Sequence, residues 1–207
     1  MKVKTIFWIG LIALGLWYYY DSQPITYGHG QIAPKIPVQK LASKKKFKFR
    51  DDYEVLPLAT FDITARVLST ERYWLDKEAK LAPVDLALGW GPMSDEKVLD
   101  ELKISQRNRW FYWNCKKFPI PKNQMEHNAA NMHLIPANDE IESKIKSTKK
   151  GNLVKFKGFL VKMTKDNGWH WKSSLSRTDT GNGACEVVFV EEFEIISKEE
   201  TLARIKK

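Results

Sequence analysis

GNLVKFKGFLVKMTKDNGWHWKSSLSRTDTGNGACEVVFV, residues 151–190, is the stretch that decides the fold. Alternating apolar residues predict three consecutive strands within it. In the first strand Val154 and Phe156 share one face, and the apolar parity changes after Gly158, which predicts a bulge or a bend. The dipeptide Asn167-Gly168 between two strands predicts a hairpin with a type I′ turn. The stretch therefore predicts a curved, mostly antiparallel sheet.

Two helices and two further strands are predicted upstream of this stretch. Residues 58–69 alternate between apolar and polar types, and residues 110–113 are all aromatic, so both predict strands. Ser94 is the predicted N-cap of a helix over residues 95–103, and Asn138 begins a second helix that ends at Gly151. We therefore expect an α+β fold, with a small, mostly antiparallel β-barrel or twisted sheet and two short helices.

The composition is sufficient for a packed domain, and the charge is unevenly distributed. The chain has 207 residues, of which 43% are hydrophobic and 12% aromatic. Its formal net charge is +9; residues 1–50 hold nine Lys or Arg against one Asp, and residues 51–207 hold 25 basic and 24 acidic residues. Because the second block is almost neutral, we do not expect nucleic acid to bind the main domain.

The chain divides into a transmembrane anchor (1–20), a basic proline-containing linker (21–50), a globular α+β domain (51–198) and a charged tail (199–207). Residues 5–20, TIFWIGLIALGLWYYY, are sixteen residues without a charge. As a helix they span roughly 24 Å, slightly less than a hydrocarbon layer of ~30 Å. The aromatic cluster at their end suits the headgroup region. A cleaved signal peptide and a buried core helix are the alternatives to an anchor.

The basic residues around the apolar run predict its orientation. Lys2 and Lys4 precede the run, and no basic residue follows it until Lys35. This favours an N-terminus inside and a main domain outside the inner membrane, in the periplasm. A later basic run favours the opposite orientation; it consists of Lys44, Lys45, Lys46, Lys48 and Arg50. This run is either a solvated spacer or a contact with an anionic membrane or envelope polymer.

No catalytic or nucleotide-binding signature stands out among the polar residues. Histidines six positions apart, near Glu126, can supply part of a metal site, but no HExxH or other ligand spacing completes it. We therefore predict neither a metal nor a cofactor. The residue types of a hydrolase are also present, without a G-x-S-x-G elbow. The candidate catalytic residues are His127, His133, His170, Ser176 and Asp179.

Three residues are candidates for ligand binding, and two cysteines for a disulfide. Trp90 lies between two glycines, so a loop can display it with Arg109 on a recognition surface; the alternative is a tryptophan that plugs the end of the sheet. Arg177 either binds a ligand or fixes its own loop by hydrogen bonds. Cys115 and Cys185 either pair in an oxidising compartment or remain separate thiols.

Four motifs carry a resemblance: LAPVDLALGWGPMSD, ISQRNRWFYW, ANMHLIPAN and SSLSRTDTGNGACEVV, which together cover most of residues 58–190. On these motifs the chain resembles an uncharacterised family of bacterial single-pass membrane-anchored proteins. The resemblance implies attachment to a bacterial inner membrane, and it implies no chemistry or binding residues. The order of helix, glycine, curved strand and hairpin is also similar to an oligonucleotide/oligosaccharide-binding (OB) barrel, as a fold-level analogy alone.

The expected function is therefore non-enzymatic. We expect a membrane-tethered extracytoplasmic binding or scaffold domain for a protein or envelope ligand. The alternative is a membrane-anchored hydrolase or metal-dependent enzyme that uses some of the five candidate catalytic residues.

Overall fold

The computed structural model describes residues 3–21, 23–50, 52–176 and 185–205. The strands are β1 (Val38–Leu41), β2 (Phe47–Phe49), β3 (Tyr53–Arg72), β4 (Val84–Gly89), β5 (Lys103–Arg107), β6 (Trp110–Asn114), β7 (Ala129–Pro136), β8 (Leu153–Thr164), β9 (His170–Lys172) and β10 (Glu186–Ile196). The helices are α1 (Val3–Asp21), α2 (Glu96–Leu99), α3 (Lys122–His127), α4 (Asp139–Lys146) and α5 (Lys198–Ile205).

The long strand β3 organises the main sheet. Residues 54–66 of β3 pair antiparallel with β8, and residues 66–72 pair antiparallel with β4. From β4 the order continues through β7, to which β10 is parallel, and β10 pairs antiparallel with β8. The order of hydrogen-bonded neighbours thus returns to β3, while β5 and β6 form a separate hairpin. The structure confirms a mixed α+β class that is mostly antiparallel sheet.

Two apolar clusters lie on opposite faces of this sheet. Phe61 and Ile63 of β3 and Phe156 of β8 belong to the larger cluster, which α4 covers. Val161 and Met163 of β8 belong to the second cluster, on the other face. Successive side chains of a strand point to opposite faces, so the apolar residues of β8 before and after Gly158 lie on opposite faces of the sheet.

Gly158 marks that change because the partner strand comes very close. A Cβ atom on Gly158 would lie 1.9 Å from the carbonyl oxygen of Phe189. The irregularities lie in both partner strands of β8: the register shifts between Val190 and Glu192 in β10 and between Pro57 and Ala59 in β3. The bulge predicted at Gly158 is therefore not in β8 itself but in its neighbours.

The predicted hairpin at Asn167-Gly168 is present, but its turn is not type I′. Gly168 has φ +84°, and the positive-φ non-glycine residues of the described chain are Arg50, Asn108 and Arg109. The Lys165 amide donates to the Trp169 carbonyl over 2.9 Å, which closes a three-residue loop with glycine in the left-handed position. A type I′ turn needs positive φ at both central residues, and Asn108-Arg109 provides this between β5 and β6.

Of the two helices predicted from the sequence, the second is closer to the structure than the first. Asn138 caps α4 as expected, because its Oδ1 accepts from the Ile141 amide over 3.0 Å; α4 ends at Lys146, before Gly151. The upstream helix α2 has only four residues, and its N-cap is Asp95, whose side chain accepts from the Lys97 amide. Ser94 is therefore not the cap; its hydroxyl donates to the Gly91 carbonyl over 2.7 Å.

The apolar N-terminal segment is helical, as α1. Its side chains from Ile6 to Tyr20 are exposed. Among the residues that the structure describes, none of the helices has the length and apolar character needed to cross a membrane. The predicted transmembrane anchor at residues 1–20 therefore has no support from the structure.

Much of the segment predicted as a linker, residues 21–50, belongs to the fold. β1 and β2 both pair antiparallel with β3, and Ile32 and Ala33 are buried. These strands have four and three residues, so their alternation was too short to recognise. Three basic residues form ion pairs, from Lys44 to Glu191 at 2.7 Å, from Lys46 to Glu54 at 3.0 Å, and from Arg50 to Glu142 at 3.2 Å. The predicted charged tail is mostly the helix α5.

Candidate functional site

A partly buried group of polar side chains lies where the β3–β4 loop, β4, the β5–β6 hairpin and β7 meet. We call Tyr73, Asp76, Asp85, Arg109 and His133 the Arg109 cluster. The turn at the tip of the β5–β6 hairpin holds Arg109 at φ +65°. The tip of the hairpin brings this side chain to Asp85 of β4 and to Asp76 of the β3–β4 loop.

Arg109 connects two carboxylates. Its Nε and Nη2 donate to the two oxygens of Asp76 over 3.0 and 2.7 Å, which is a bidentate pair. Its Nη1 donates to Asp85 Oδ1 over 2.8 Å and to the Ala82 carbonyl over 2.9 Å. Burial alone would lower the pKa of Arg109. The hydrogen bond to Asp76 and the charge of Asp85 outweigh burial, so the pKa is raised above its usual range. Arg109 therefore stays charged and organises the cluster.

Asp85 is fully buried between two basic side chains. The β4–β7 register places it directly opposite His133, so the two side chains share a face. Asp85 Oδ2 lies 2.8 Å from His133 Nδ1, a close contact without hydrogen-bond alignment. A carboxylate in the interior requires charged or hydrogen-bonding partners, and Arg109 supplies both through Asp85 Oδ1. The contact also restrains the imidazole ring.

Tyr73 and two amide side chains hold the hairpin in place. The Tyr73 oxygen accepts from the Arg109 amide over 2.9 Å, and the guanidinium carbon lies 3.9 Å from the centre of the Tyr73 ring. Burial, with the charge of Asp85 second, raises the pKa of Tyr73 to about 12, so the phenol is protonated at neutral pH. Asn131 Nδ2 donates to the Arg109 carbonyl over 2.9 Å, and Gln106 Nε2 donates to Asn131 Oδ1 over 2.7 Å.

An open pocket of about 390 Å³ lies above the Arg109 cluster, and we call it the Trp171 pocket. The centroids of the Trp171 and His133 rings are 4.9 Å apart, with their planes tilted by 40°. Aromatic rings, nitrogen donors, one carboxylate and one thiol meet there. The lining residues are Glu78, Arg109, Trp110, His133, His170, Trp171, Lys172 and Cys185.

The structure brings some of the sequence candidates together and separates others. Arg109, His133 and His170 line the Trp171 pocket. His127 is exposed at the end of α3, and Ser176 is exposed beyond β9, so neither is part of it. Arg177 and Asp179 lie outside the described residues.

Trp90 is not displayed on a surface, so that expectation is wrong. Its side chain is 1% exposed and belongs to the main apolar cluster. A Cβ atom on the preceding Gly89 would lie 2.3 Å from the Met93 carbonyl oxygen, so the chain turns tightly there and directs the indole inward. The structure agrees with the alternative considered from the sequence in that the tryptophan is buried.

Cys115 and Cys185 are separate thiols in the structure, which is the second of the two alternatives that the sequence left open. Cys115 packs beside the third apolar cluster, whereas Cys185 lines the Trp171 pocket, with its sulfur 4.0 Å from the Arg109 carbonyl oxygen. Within the described ranges, no group of three or more His, Cys, Asp or Glu side chains is placed to hold a metal ion.

Sequence reasoning missed Tyr73, Asp76, Asp85 and Trp171. Asp85 had a usable signal, because it is the single charged residue of the strand VDLALG and that strand is buried along its whole length. A charge inside such a strand indicates a specific partner. The Asn108-Arg109 dipeptide, between two recognisable strands, was the signal for the turn that delivers that partner.

Comparisons of the chain with family models, with curated proteins and with solved structures find no match. The resemblance carried by the sequence motifs stays a prediction, and the function is argued from the geometry.

Proposed function

We propose that this protein is a membrane-attached binding domain that holds its ligand in the Trp171 pocket. The observation that carries the proposal is the pre-organised floor of the pocket, where Arg109 and Asp85 fix His133. Every charge of that floor has a partner on the protein. The pocket therefore keeps its shape without a ligand, which lowers the cost of binding.

The lining indicates the chemistry of the ligand. Binding pockets combine aromatic walls with a few fixed polar groups. Trp110 and Trp171 offer flat apolar faces, and His170 and Lys172 offer nitrogen donors beside them. Such walls suit a ligand with a ring, aromatic or pyranose, that carries a polar or anionic substituent.

An OB-like arrangement of the strands supports the same location. The neighbour order β3-β4-β7-β10-β8 returns to β3, β7 and β10 are parallel, and α4 lies between β7 and β8 in the chain. OB folds bind ligands on their second and third strands and with the loops after the first and fourth strands. Here these are β4, β7, the β3–β4 loop and the β8–β10 connection, all of which contribute to the cluster or the pocket.

Membrane attachment is proposed through α1. Supporting this are its exposed apolar side chains and the aromatic cluster Trp17, Tyr18, Tyr19 and Tyr20 at its end. An exposed apolar surface of this kind marks a site of interaction. Attachment to a bacterial inner membrane with the domain outside stays part of this proposal. We expect the full chain to stay with membranes after an alkaline wash, and release by that wash contradicts attachment.

In-cell photo-crosslinking tests the pocket. Benzoylphenylalanine replaces Lys172 at the pocket in the full chain, and a matched chain carries it at Lys157, which is exposed in β8. We expect a discrete adduct from position 172, absent at position 157 and weakened by Asp85→Asn. Equal adducts at both positions, or none at 172, contradict ligand binding in the pocket.

Hydrolysis is the second candidate, and the Asp85–His133 contact favours it. A carboxylate beside a histidine nitrogen restrains the ring as a general base requires, and Cys185 lines the same pocket. If the protein is a hydrolase, it will cleave p-nitrophenyl acetate, and His133→Gln will abolish the activity while His127→Gln leaves it intact. Equal activity of the two variants, or none above the buffer rate in the unmodified chain, rejects this candidate.

A further inference from the structure

The chain after α1 is fixed to the domain by a buried ion pair. Arg66 Nη2 donates to Glu96 Oε1 over 3.0 Å, and the two side chains are 6% and 10% exposed. The other oxygen of Glu96 accepts from the amides of Tyr27 and Gly28 over 3.0 and 2.5 Å. We call these four residues the arm latch.

The latch leaves little chain between the domain and α1. The Ile25 amide donates to the Lys150 carbonyl over 3.0 Å, four residues after Asp21, the last residue of α1. Four extended residues reach at most about 14 Å. The end of α1 therefore lies close to the domain surface around Lys150, and the domain is not on a long tether.

The β3–β4 loop belongs to the same side of the domain. The Arg72 guanidinium donates to the carbonyl of Lys146, which lies four residues before Lys150. Arg72 ends β3, and the next residues are Tyr73, Trp74 and Leu75. The tip of this loop is thus connected through the end of α4 to the place where α1 meets the domain.

Trp74 and Leu75 are 73% and 99% exposed. Their neighbours in the chain, Tyr73 and Asp76, are held by Arg109, so the structure presents the two apolar side chains from a fixed base. Trp74 lines a shallow pocket of about 200 Å³ with Arg72, Tyr73, Ala79, Lys80, Pro83, Glu142 and Lys146. Glu142, the acid of this set, pairs with Lys146 at 2.5 Å and with Arg50 at 3.2 Å. Three basic side chains, those of Arg72, Lys80 and Lys146, and one acidic side chain thus line this pocket beside Trp74.

We infer that Trp74 and Leu75 insert into the headgroup region of an anionic lipid surface, with Arg72, Lys80 and Lys146 against the lipid phosphates. Tryptophan favours the membrane–water interface, and basic side chains near it are attracted to anionic lipids. The inference rests on the proposed attachment through α1, because the short connection orients this surface only when α1 is in the membrane. A protein partner at the same surface is the competing occupant.

An environment-sensitive fluorophore at position 75 tests the inference. In the full chain with Cys115→Ser and Cys185→Ser, Leu75→Cys is labelled with NBD and mixed with phosphatidylcholine vesicles that contain phosphatidylglycerol. The matched control is Leu41→Cys, since Leu41 is 88% exposed in β1. We expect brighter, blue-shifted emission at position 75, no change at position 41, and a weaker response after Lys80→Glu and Lys146→Glu.

Vesicle flotation of the same samples separates the two proposals. Flotation without an emission change at position 75 overturns the loop contact and leaves the attachment through α1 in place. Failure to float overturns both. An emission change at position 75 that needs added protein instead of lipid supports the competing occupant and overturns the inference.

Discussion

The arm latch and the Arg109 cluster use similar groups for different purposes. Each contains an arginine that donates to a carboxylate; Arg66 is buried and Arg109 is partly buried. In the latch, backbone amides take the remaining oxygen of Glu96, and the group closes a segment of chain onto the domain. In the cluster, the remaining oxygen of Asp85 contacts His133, which lines an open pocket. Arg66 and Glu96 also line a pocket, of about 210 Å³, so a nearby pocket does not distinguish the two groups. The difference is that both oxygens of Glu96 accept hydrogen bonds from within the chain, whereas Asp85 leaves one oxygen beside a histidine.

The largest expected effect is on stability, at the latch. Glu96→Gln removes one charge of a buried pair, and we expect the free energy of unfolding to fall by about 3–5 kcal/mol, because Arg66 is left buried without its counter-charge. Urea denaturation measures the change. The control is Arg204→Ala, which breaks an exposed pair with Glu200, so a loss below about 0.5 kcal/mol is expected. Equal losses for the two variants contradict the structural importance of the latch.

Asp85→Asn has a smaller expected effect on stability. Arg109 keeps its bidentate partner Asp76, so we expect a loss of about 1–3 kcal/mol in the free energy of unfolding. The crosslinking yield at Lys172 is expected to fall in the same variant, because His133 loses its restraint. Asp62→Asn, at a half-buried position in β3, is the control for both measurements. If the yield is unchanged, Asp85 does not position the pocket.

The latch is expected to weaken in acid. Burial alone would raise the pKa of Glu96. The hydrogen bonds from Arg66 and from the amides of Tyr27 and Gly28, with the charge of Arg66, outweigh burial and hold the pKa below its usual range. The stabilisation is present above the unfolded-state pKa and is lost as the pH falls through the folded-state pKa. The protection of the Tyr27 and Gly28 amides from hydrogen exchange, relative to the intrinsic exchange rate at the same pH, should therefore fall below about pH 4.5. A fall of the same size in Glu96→Gln rules out Glu96 as the cause.

The cluster is expected to weaken in alkali, and this is the smallest of the four effects. Burial and Asp85 raise the pKa of Tyr73 from 10.0 to about 12. A raised pKa favours the protonated phenol in the folded state, so its contribution is present below about pH 10 and is lost as the pH rises toward 12. Urea denaturation should show a lower free energy of unfolding at pH 11 than at pH 9, with a smaller decrease in Tyr73→Phe. If the decrease is equal in the two proteins, groups other than Tyr73 cause it.

The sequence predicted the features that depend on neighbouring residues. The alternation in β3 and the cap at Asn138 are local, so the chain itself carried their signals. The edge strands β1 and β2 were missed because they are short and depend on pairing with β3 for their stability. The site was missed because the β4–β7 register brings Asp85 and His133 together across 48 positions of the sequence. No local pattern contains a register of that kind.

We expect the Trp171 pocket to bind a ligand and the arm latch to bind none. One in-cell measurement compares them, with the photo-crosslinker at Lys172 in one full chain and at the exposed Thr26, beside the latch, in another. We expect a discrete adduct from position 172, weakened by Asp85→Asn, and no adduct from position 26. The same adduct from both positions, or one from position 26 alone, would contradict this expectation.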